Sequence, residues 1–359
     1  MKKRVASNLI AAALLAVGAV LAMPPLWAAG KLTQVRMCID EDPITIRLAR
    51  SLRYLEQEGI DIVPVDLEKI AGEDYLMQEP LMKGQIDACY HWFNHAIFGA
   101  RHGFPIKAVM VFNDAPGMTV MVANRVKGEV RSVSDFKGRR IAEGAGYGTK
   151  SVITNYLAVK AGLPAHSYTP VMLGKEGRRE AVIQGLKDGT VDVMTFQEPV
   201  ASALMDTKMV SLLCDLNSGQ STAKMLGAAF PAQTLLMSPQ YIEAHPDTVQ
   251  HLVNAFVRTM RFINTRSAEE IAANLPPDYF TGKDRAAEVK LIRDTLPTFA
   301  RGDYSFSPAA VKLVVEINLT SDFDKSVEGQ WRATGDKSKV RPAELYTNRF
   351  VNKAMKDIR

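Results

Sequence analysis

The stretch Glu143-Gly144-Ala145-Gly146-Tyr147-Gly148-Thr149-Lys150-Ser151 sets three glycines at every second position ahead of two hydroxyls and an ammonium. Such residues can grip an anion. A phosphate loop needs Gly directly before its Lys, and here Thr149 intervenes. A dinucleotide turn needs a third Gly three residues after the second. Counted from Gly146, that position is Thr149. Both nucleotide readings fail. What remains is a glycine-rich turn entering a helix, whose unpaired N–H groups and dipole attract negative charge without any nucleotide motif.

Other residues offer chemistry. Cys89, His91, His95 and His102 invite a metal reading. However, His91 ends a strand while His95 lies in the following helix. The two do not share one helical face, and the Glu of a zinc-protease helix is missing. No metal and no cofactor are expected. No nucleophile elbow, triad pattern or paired-carboxylate signature stands out, so an enzyme is not expected.

These residues need elements to position them. "LMKGQIDACYHW" and "GLKDGTVDVMTFQEP" share one pattern: helix end, Gly, any residue, β-branched residue, Asp, short apolar strand. Gly84 and Asp87 in the first match Gly189 and Asp192 in the second. The glycine suits a left-handed helix cap, and the strand suits a buried parallel sheet. Strands are expected at "TQVRMCI", "IDIVPVD", "DACYHW", "IKAVMVF", "TVMVANR", "RRIAEG", "VDVMTF", "VSLLCDL" and "QTLLMS". "TIRLARSLRYLEQEG" reads as one amphipathic helix ended by Gly59. Further helices are expected near 75–83, from Asn94, after the glycine turn, over Arg179–Lys187, over Glu198–Met205, and then over Pro239–Ala244, Asp247–Asn264, Ala286–Leu296 and Ala309–Asp322. Such alternation predicts an α/β class: two doubly wound lobes joined by a two-crossover hinge, with a helical C-terminal tail packing on lobe one. Lobe one takes residues 31–115 and 234–359, and lobe two takes 116–233. The crossovers fall near Asn113–Thr119 and Pro231–Leu235.

In open parallel sheets ligands bind beyond the carboxyl ends of the strands. Two lobes facing each other put those ends on opposite walls of one cleft. Lobe one then contributes Asp40, His91, Trp92, Asn94 and Asn113. Lobe two contributes Tyr147, Gly148, Thr149, Lys150, Ser151, Gln197 and Glu198. Each has a plainer reading beside it. Lys150 is a ligand contact or a solvated helix residue. Glu198 receives a cation or favours its own helix start. Trp92 stacks on the ligand or belongs to the core. Asp40, with Glu41 and Asp42, forms a cationic subsite or a solvated loop.

The chain has 359 residues. It opens Met1-Lys2-Lys3-Arg4 and then runs apolar from Leu9 to Met23, short of the ~20 residues that span a bilayer. Pro24 and Pro25 break the run, and small residues follow. This predicts a signal peptide over residues 1–28 and a periplasmic mature protein. Removing Lys2, Lys3 and Arg4 lowers the 44 Lys and Arg to 41, against 39 Asp and Glu. That near-balance opposes a nucleic-acid partner. Cys38, Cys89 and Cys214 lie in apolar, strand-like segments. Buried thiols are the plainer reading, and a Cys38–Cys89 bridge stays open.

The chain resembles a type II periplasmic solute-binding protein, most closely the sulfonate, taurine, nitrate and thiamine-precursor (NMT1/THI5-like) receptors of ABC importers. The resemblance covers nearly all of the mature chain. It is carried by "LMKGQIDACYHW", "GRRIAEGAGYGTKSVITNYLAVKAGL", "GLKDGTVDVMTFQEP" and the His-Pro helix pair "SPQYIEAHPDTVQHLVNAFVRTMRFI". It implies a receptor that catches a small-molecule solute by lobe closure, works as a monomer and hands the solute to a membrane permease. By the same resemblance, the Gly148–Ser151 helix start and the Gln197-Glu198-Pro199 turn carry over as contacts. The cluster "YHWFNH" fills the lobe-one ligand position with unusual residues, which leaves the solute open. Two alternatives stand beside it. A thiamine-pyrimidine synthase family shares the fold, but works in the cytoplasm with pyridoxal phosphate, and the export signal opposes that. A ligand-sensing module of a membrane receptor would need a partner to signal. The mass of the exported protein should place its first residue at or within a few residues of Ala29. Retention of Met1 there would refute the signal peptide.

Overall fold

The computed structural model describes residues 31–39, 43–71, 77–143, 148–165, 167–171, 179–320 and 335–358. The first portion runs β1 (Thr33–Ile39), α1 (Ile44–Ser51), α2 (Tyr54–Gln57), β2 (Ile60–Val65), α3 (Leu67–Ala71), α4 (Gln78–Met82), β3 (Ala88–Trp92), α5 (Asn94–His102) and β4 (Lys107–Val111). The second runs β5 (Met118–Ala123), β6 (Arg140–Ala142), α6 (Thr149–Lys160), β7 (Thr169–Val171), α7 (Arg179–Lys187), β8 (Val193–Gln197), α8 (Val200–Asp206), β9 (Val210–Leu216) and α9 (Gly219–Leu226). The chain then returns through β10 (Gln233–Met237) to α10 (Pro239–Ala244), α11 (Pro246–Thr265), α12 (Ala268–Asn274), α13 (Arg285–Thr295), α14 (Pro308–Thr320) and α15 (Arg349–Asp357).

Ten of these strands form two five-stranded sheets, ordered β2-β1-β3-β10-β4 and β7-β6-β8-β5-β9. In each sheet four strands run in one direction, and the fifth is antiparallel to both its neighbours. That strand is β10 in the first sheet and β5 in the second. Each is the strand by which the chain arrives from the other sheet. The two sheets are therefore wound alike and exchange one strand apiece. The edge strands β2 and β7 each carry a proline, Pro64 and Pro170. Proline is tolerated at an edge and discourages further pairing there.

The repeated Gly and Asp now have a physical role. Before β3, the Asp87 carboxylate accepts from the backbone N–H of Arg36 at 2.8 Å and from its guanidinium at 3.1 and 2.6 Å. Before β8, Asp192 does the same for Arg140 at 2.9, 3.0 and 2.9 Å. Each Asp N–H also donates 2.8 Å back to the carbonyl of its own Arg. Arg125 adds a second guanidinium to Asp192 at 2.6 Å. Burial pushes the Asp192 carboxyl up, but the bonds from Arg140 and Arg125 outweigh it and hold the group at about 2.

The tail covers the first sheet. Helix α11 buries Val249, Leu252, Val253, Phe256, Met260 and Ile263 along one stripe, the spacing of a single helical face. It packs against α1, α2 and α15. The His-Pro joint is confirmed, with His245 ending α10 and Pro246 opening α11. Helix α14 lies against both α5 and α6, and Tyr156 of α6 donates its hydroxyl to Glu316 of α14 at 3.1 Å.

Several expected elements change. The helix expected from Thr45 to Gly59 breaks at Arg53, which is left-handed at φ 58°. The guanidinium of Arg53 turns forward to Glu56 at 2.7 and 2.6 Å, and the bend lets both halves reach α11. Helix α8 starts at Val200 rather than Glu198, because Pro199 takes the cap position. Strand β7 and helices α3, α9, α12 and α15 were not foreseen. All three cysteines are buried thiols, although Cys38 and Cys89 stand opposite in register.

Asp192→Asn should cost about 2 kcal/mol, below a fully buried pair because its arginines are partly solvated. Urea unfolding at neutral pH measures this. The carboxyl is held below its ordinary value, so its contribution is present above about pH 4 and is lost as the pH falls toward 2. The variant should lack that acid-sensitive step.

Candidate functional site

The carboxyl ends of the parallel strands fall on one edge of each sheet. In the first sheet Trp92, the last residue of β3, pairs with Gln233, the first of β10. In the second, Gln197, the last of β8, pairs with Met118, the first of β5. Each arriving strand thus starts beside the carboxyl end of its sheet's central parallel strand. The segments between the sheets, 112–117 and 227–232, leave and enter at these two edges.

The crossing segments are paired with each other. Phe112 N–H donates to Gln233 at 2.9 Å, Ala232 N–H to Asn113 at 2.8 Å and Phe230 N–H to Asp114 at 2.8 Å. A third segment from the tail joins on the other side. Asp114 N–H donates to Thr298 at 3.1 Å, Ala300 N–H to Phe112 at 2.8 Å, and Asn113 bridges Phe299 in antiparallel fashion. The hinge is a three-stranded ribbon, not the two expected crossovers alone. Asn113 spends its amide here, donating to Thr298 Oγ1 at 2.8 Å. The Asp114 carboxylate lies against Gly219, the first residue of α9, where an added Cβ would meet it at 2.7 Å. Burial pushes Asp114 up to about 6, against opposing bonds from the Arg301 backbone.

On the first sheet's edge, alternation along β3 splits the expected cluster. Tyr90 meets Thr45 of α1 at 3.2 Å and the Phe112 ring at 4.6 Å. Trp92, two residues on, takes the same face and is half-buried. His91 takes the opposite face. Its ring lies 4.0 Å from that of His95 in α5. His91 Nδ1 accepts the Trp92 N–H at 2.9 Å, which places its proton on Nε2. The Gln78 amide donates to the His95 carbonyl at 2.9 Å and meets His95 Nδ1 at 3.1 Å. Burial pushes His91 down to about 4; burial and the neighbouring His91 push His95 well below its ordinary value. Both imidazoles keep some accessible surface. Asn94 opens α5, and its Oδ1 is buried with no partner among the described residues. Among the described residues no group of three His, Cys, Asp or Glu could hold a metal.

On the second sheet's edge, Gly148 caps α6 in an extended conformation, without a side-chain bond, and Thr149 is the first helical residue. Gly148, Thr149 and Lys150 are half-buried, while Ser151 is buried. Gln197 donates its amide to the Pro116 carbonyl at 2.9 Å. Glu198 accepts the Ser202 N–H at 3.2 Å, the helix-start role. Phe196 is core. Asp40 and Tyr147 lie outside the described residues.

Sequence reading missed Glu143. It follows β6 directly and is only 3% exposed. Tyr168 donates its hydroxyl to both carboxyl oxygens, at 3.3 and 3.0 Å. The hydroxyls of Ser151 and Thr154 in α6 stand close enough to favour its ionised form. Burial outweighs these bonds and pushes Glu143 up to about 7. Its signal in the sequence was an acid placed immediately before the glycine turn.

Two like-wound sheets with exchanged antiparallel strands define the architecture of periplasmic binding proteins, and solved structures agree. The alkanesulfonate-binding protein SsuA of Xanthomonas axonopodis pv. citri, bound to MOPS, is 20% identical, with TM-score 0.56, covering 81% of this chain and 92% of that one. The nitrate-binding protein NrtA of Synechocystis PCC 6803 is 10% identical, with TM-score 0.61, covering 91% and 89%. The desulfurization enzyme DSZB shares the fold as well, at 12% identity and TM-score 0.57, covering 91% and 99%. No curated protein sequence matches the chain. The chain belongs to the NMT1/THI5-like family, whose model matches residues 42–269.

Asp114→Asn tests the hinge carboxylate. Its raised value means that the native chain loses stability as the pH rises from about 3.8 to about 6, and no more above that. The variant lacks this loss. Thermal unfolding should show it gaining on the native chain across that interval and running parallel above it.

Proposed function

We propose that this chain is the exported solute-binding receptor of an ABC-type importer. It captures a small polar organic or anionic solute between two lobes that close about the hinge ribbon. The observation that carries this reading is the placement of both carboxyl edges beside the paired crossing segments. Ligands of open α/β sheets bind beyond those edges, and a ribbon of a few residues concentrates the motion. Membership of the NMT1/THI5-like family supports it, as do neighbours that bind an alkanesulfonate or nitrate. The mature protein is periplasmic and monomeric, and its partner is a membrane permease.

The walls take different parts. From lobe two, the start of α6 at Gly148, Thr149, Lys150 and Ser151 receives the anionic end through backbone N–H groups, hydroxyls and an ammonium. From lobe one, Trp92 presents an indole face and an N–H donor, while His91 and Asn94 supply neutral polar groups. Gln197 and Asn113 act on geometry, fixing the hinge to the lobe edges. Glu198 holds the start of α8.

Ethanesulfonate, taurine and nitrate are suitable probes. A probe at 100 times its dissociation constant that binds only the native state stabilises it by about 2.7 kcal/mol. Binding should raise the melting temperature and change the tryptophan fluorescence. Once Trp27 leaves with the signal peptide, Trp92 and Trp331 remain to emit. Trp92→Phe should remove most of the change and lower affinity. A full response that survives Trp92→Phe would place Trp92 outside the cleft. Silence toward all three probes would count against a sulfonate- or nitrate-like solute.

A further inference from the structure

We propose that Glu143 is a proton switch beneath the start of α6, taking up a proton from solvent when the solute's anionic end binds. This rests on the reading of the Gly148–Ser151 start as the anion-binding wall. Three observations support it. Glu143 is almost fully buried. The polar groups around it are hydroxyls: Tyr168, from the segment before β7, bonds it, and Ser151 and Thr154 of α6 stand close by. No cationic side chain among the described residues forms an ion pair with it. Lys150 is the cationic residue of that helical turn.

Hydrogen-bond direction makes the coupling specific. An ionised carboxylate only accepts. Ser151 has one hydroxyl proton, so an ionised Glu143 draws it inward and away from the solute. Thr154 is already shared, with its hydroxyl 2.8 Å from the Lys150 carbonyl and 2.9 Å from Thr195 Oγ1. A protonated Glu143 donates its own proton and releases that of Ser151. Charge acts in the same direction. An ionised Glu143 is a buried negative charge at the positive end of α6, where it opposes a second anion. Burial sets Glu143 near neutrality, so the exchange falls in a range where both forms are populated. Glu143 is thus a positioning residue that acts through Ser151 and the field at the helix start.

Calorimetric titration with ethanesulfonate, taurine and nitrate, from roughly pH 6 to 8.5 in two buffers of different ionisation heat, tests this. The native chain should take up close to one proton per probe bound near pH 8. Its affinity should fall by as much as about tenfold per pH unit above neutrality. Glu143→Gln should show neither the uptake nor the slope. A probe that binds the native chain with no proton uptake and a flat profile overturns the switch but leaves the anion wall standing. An undiminished slope in Glu143→Gln also overturns it. If none of the three binds at any pH, the anion wall and the switch fall together. The proton count on the native chain needs no variant, so the test survives a Glu143→Gln chain that fails to fold.

Discussion

The two sheets depend on one interaction made twice. A carboxylate just before the central parallel strand grips the backbone and guanidinium of an arginine in the strand beside it, Asp87 on Arg36 and Asp192 on Arg140. The sequence separations are 51 and 52 residues. Each grip fixes the register of two parallel strands whose pairing no tight turn could set. Fixing the register fixes where the strands end, and those ends carry residues of both proposed walls. The carboxylates are buried while the guanidinium groups stay partly in water. This arrangement avoids the full cost of burying both charges.

The second constraint is the ribbon between the sheets. Residues 112–114 form its middle, with 230–233 on one side and 298–300 on the other. Their polar backbone groups pair with each other instead of relying on water. Gln197 ties lobe two to this region through Pro116, and Asp114 seats on the start of α9. The joint and the site are therefore built from adjacent residues, and some candidates for ligand contact act through the joint.

What the sequence shows and hides follows from range. Alternating strands and helices, the repeated Gly and Asp, and the crossing segments all leave local patterns, and each reappears in the fold. The arginine partners could have been found by extending the repeat back to "TQVRMCI" and "GRRIAEG". The third hinge strand could not, because Thr298 meets Asn113 across 185 residues. Strand β7 is three residues long and contains Pro170, too short to show a period. The break at Arg53 interrupts an unbroken apolar stripe and answers to packing on α11, which the stripe does not encode. At the site, strand alternation sends His91 and Trp92 to opposite faces, although they are neighbours in sequence. Glu143 was passed over because an acid before a glycine turn has no fixed meaning until its burial is known.

Helix α14 has a mechanical consequence. It lies against α5, which begins at one carboxyl edge, and against α6, which begins at the other. A body touching both walls cannot stay fixed to both while they rotate. Under the proposed closure one of the two packed faces slides, so that motion combines bending in the ribbon with shear along α14. On the α6 side the contact includes a single tyrosine–carboxylate bond, Tyr156 to Glu316. Such a bond is easily exchanged for water, whereas interlocked side chains resist sliding. In that motion the C-terminal tail would set the friction of the joint as well as covering the first sheet.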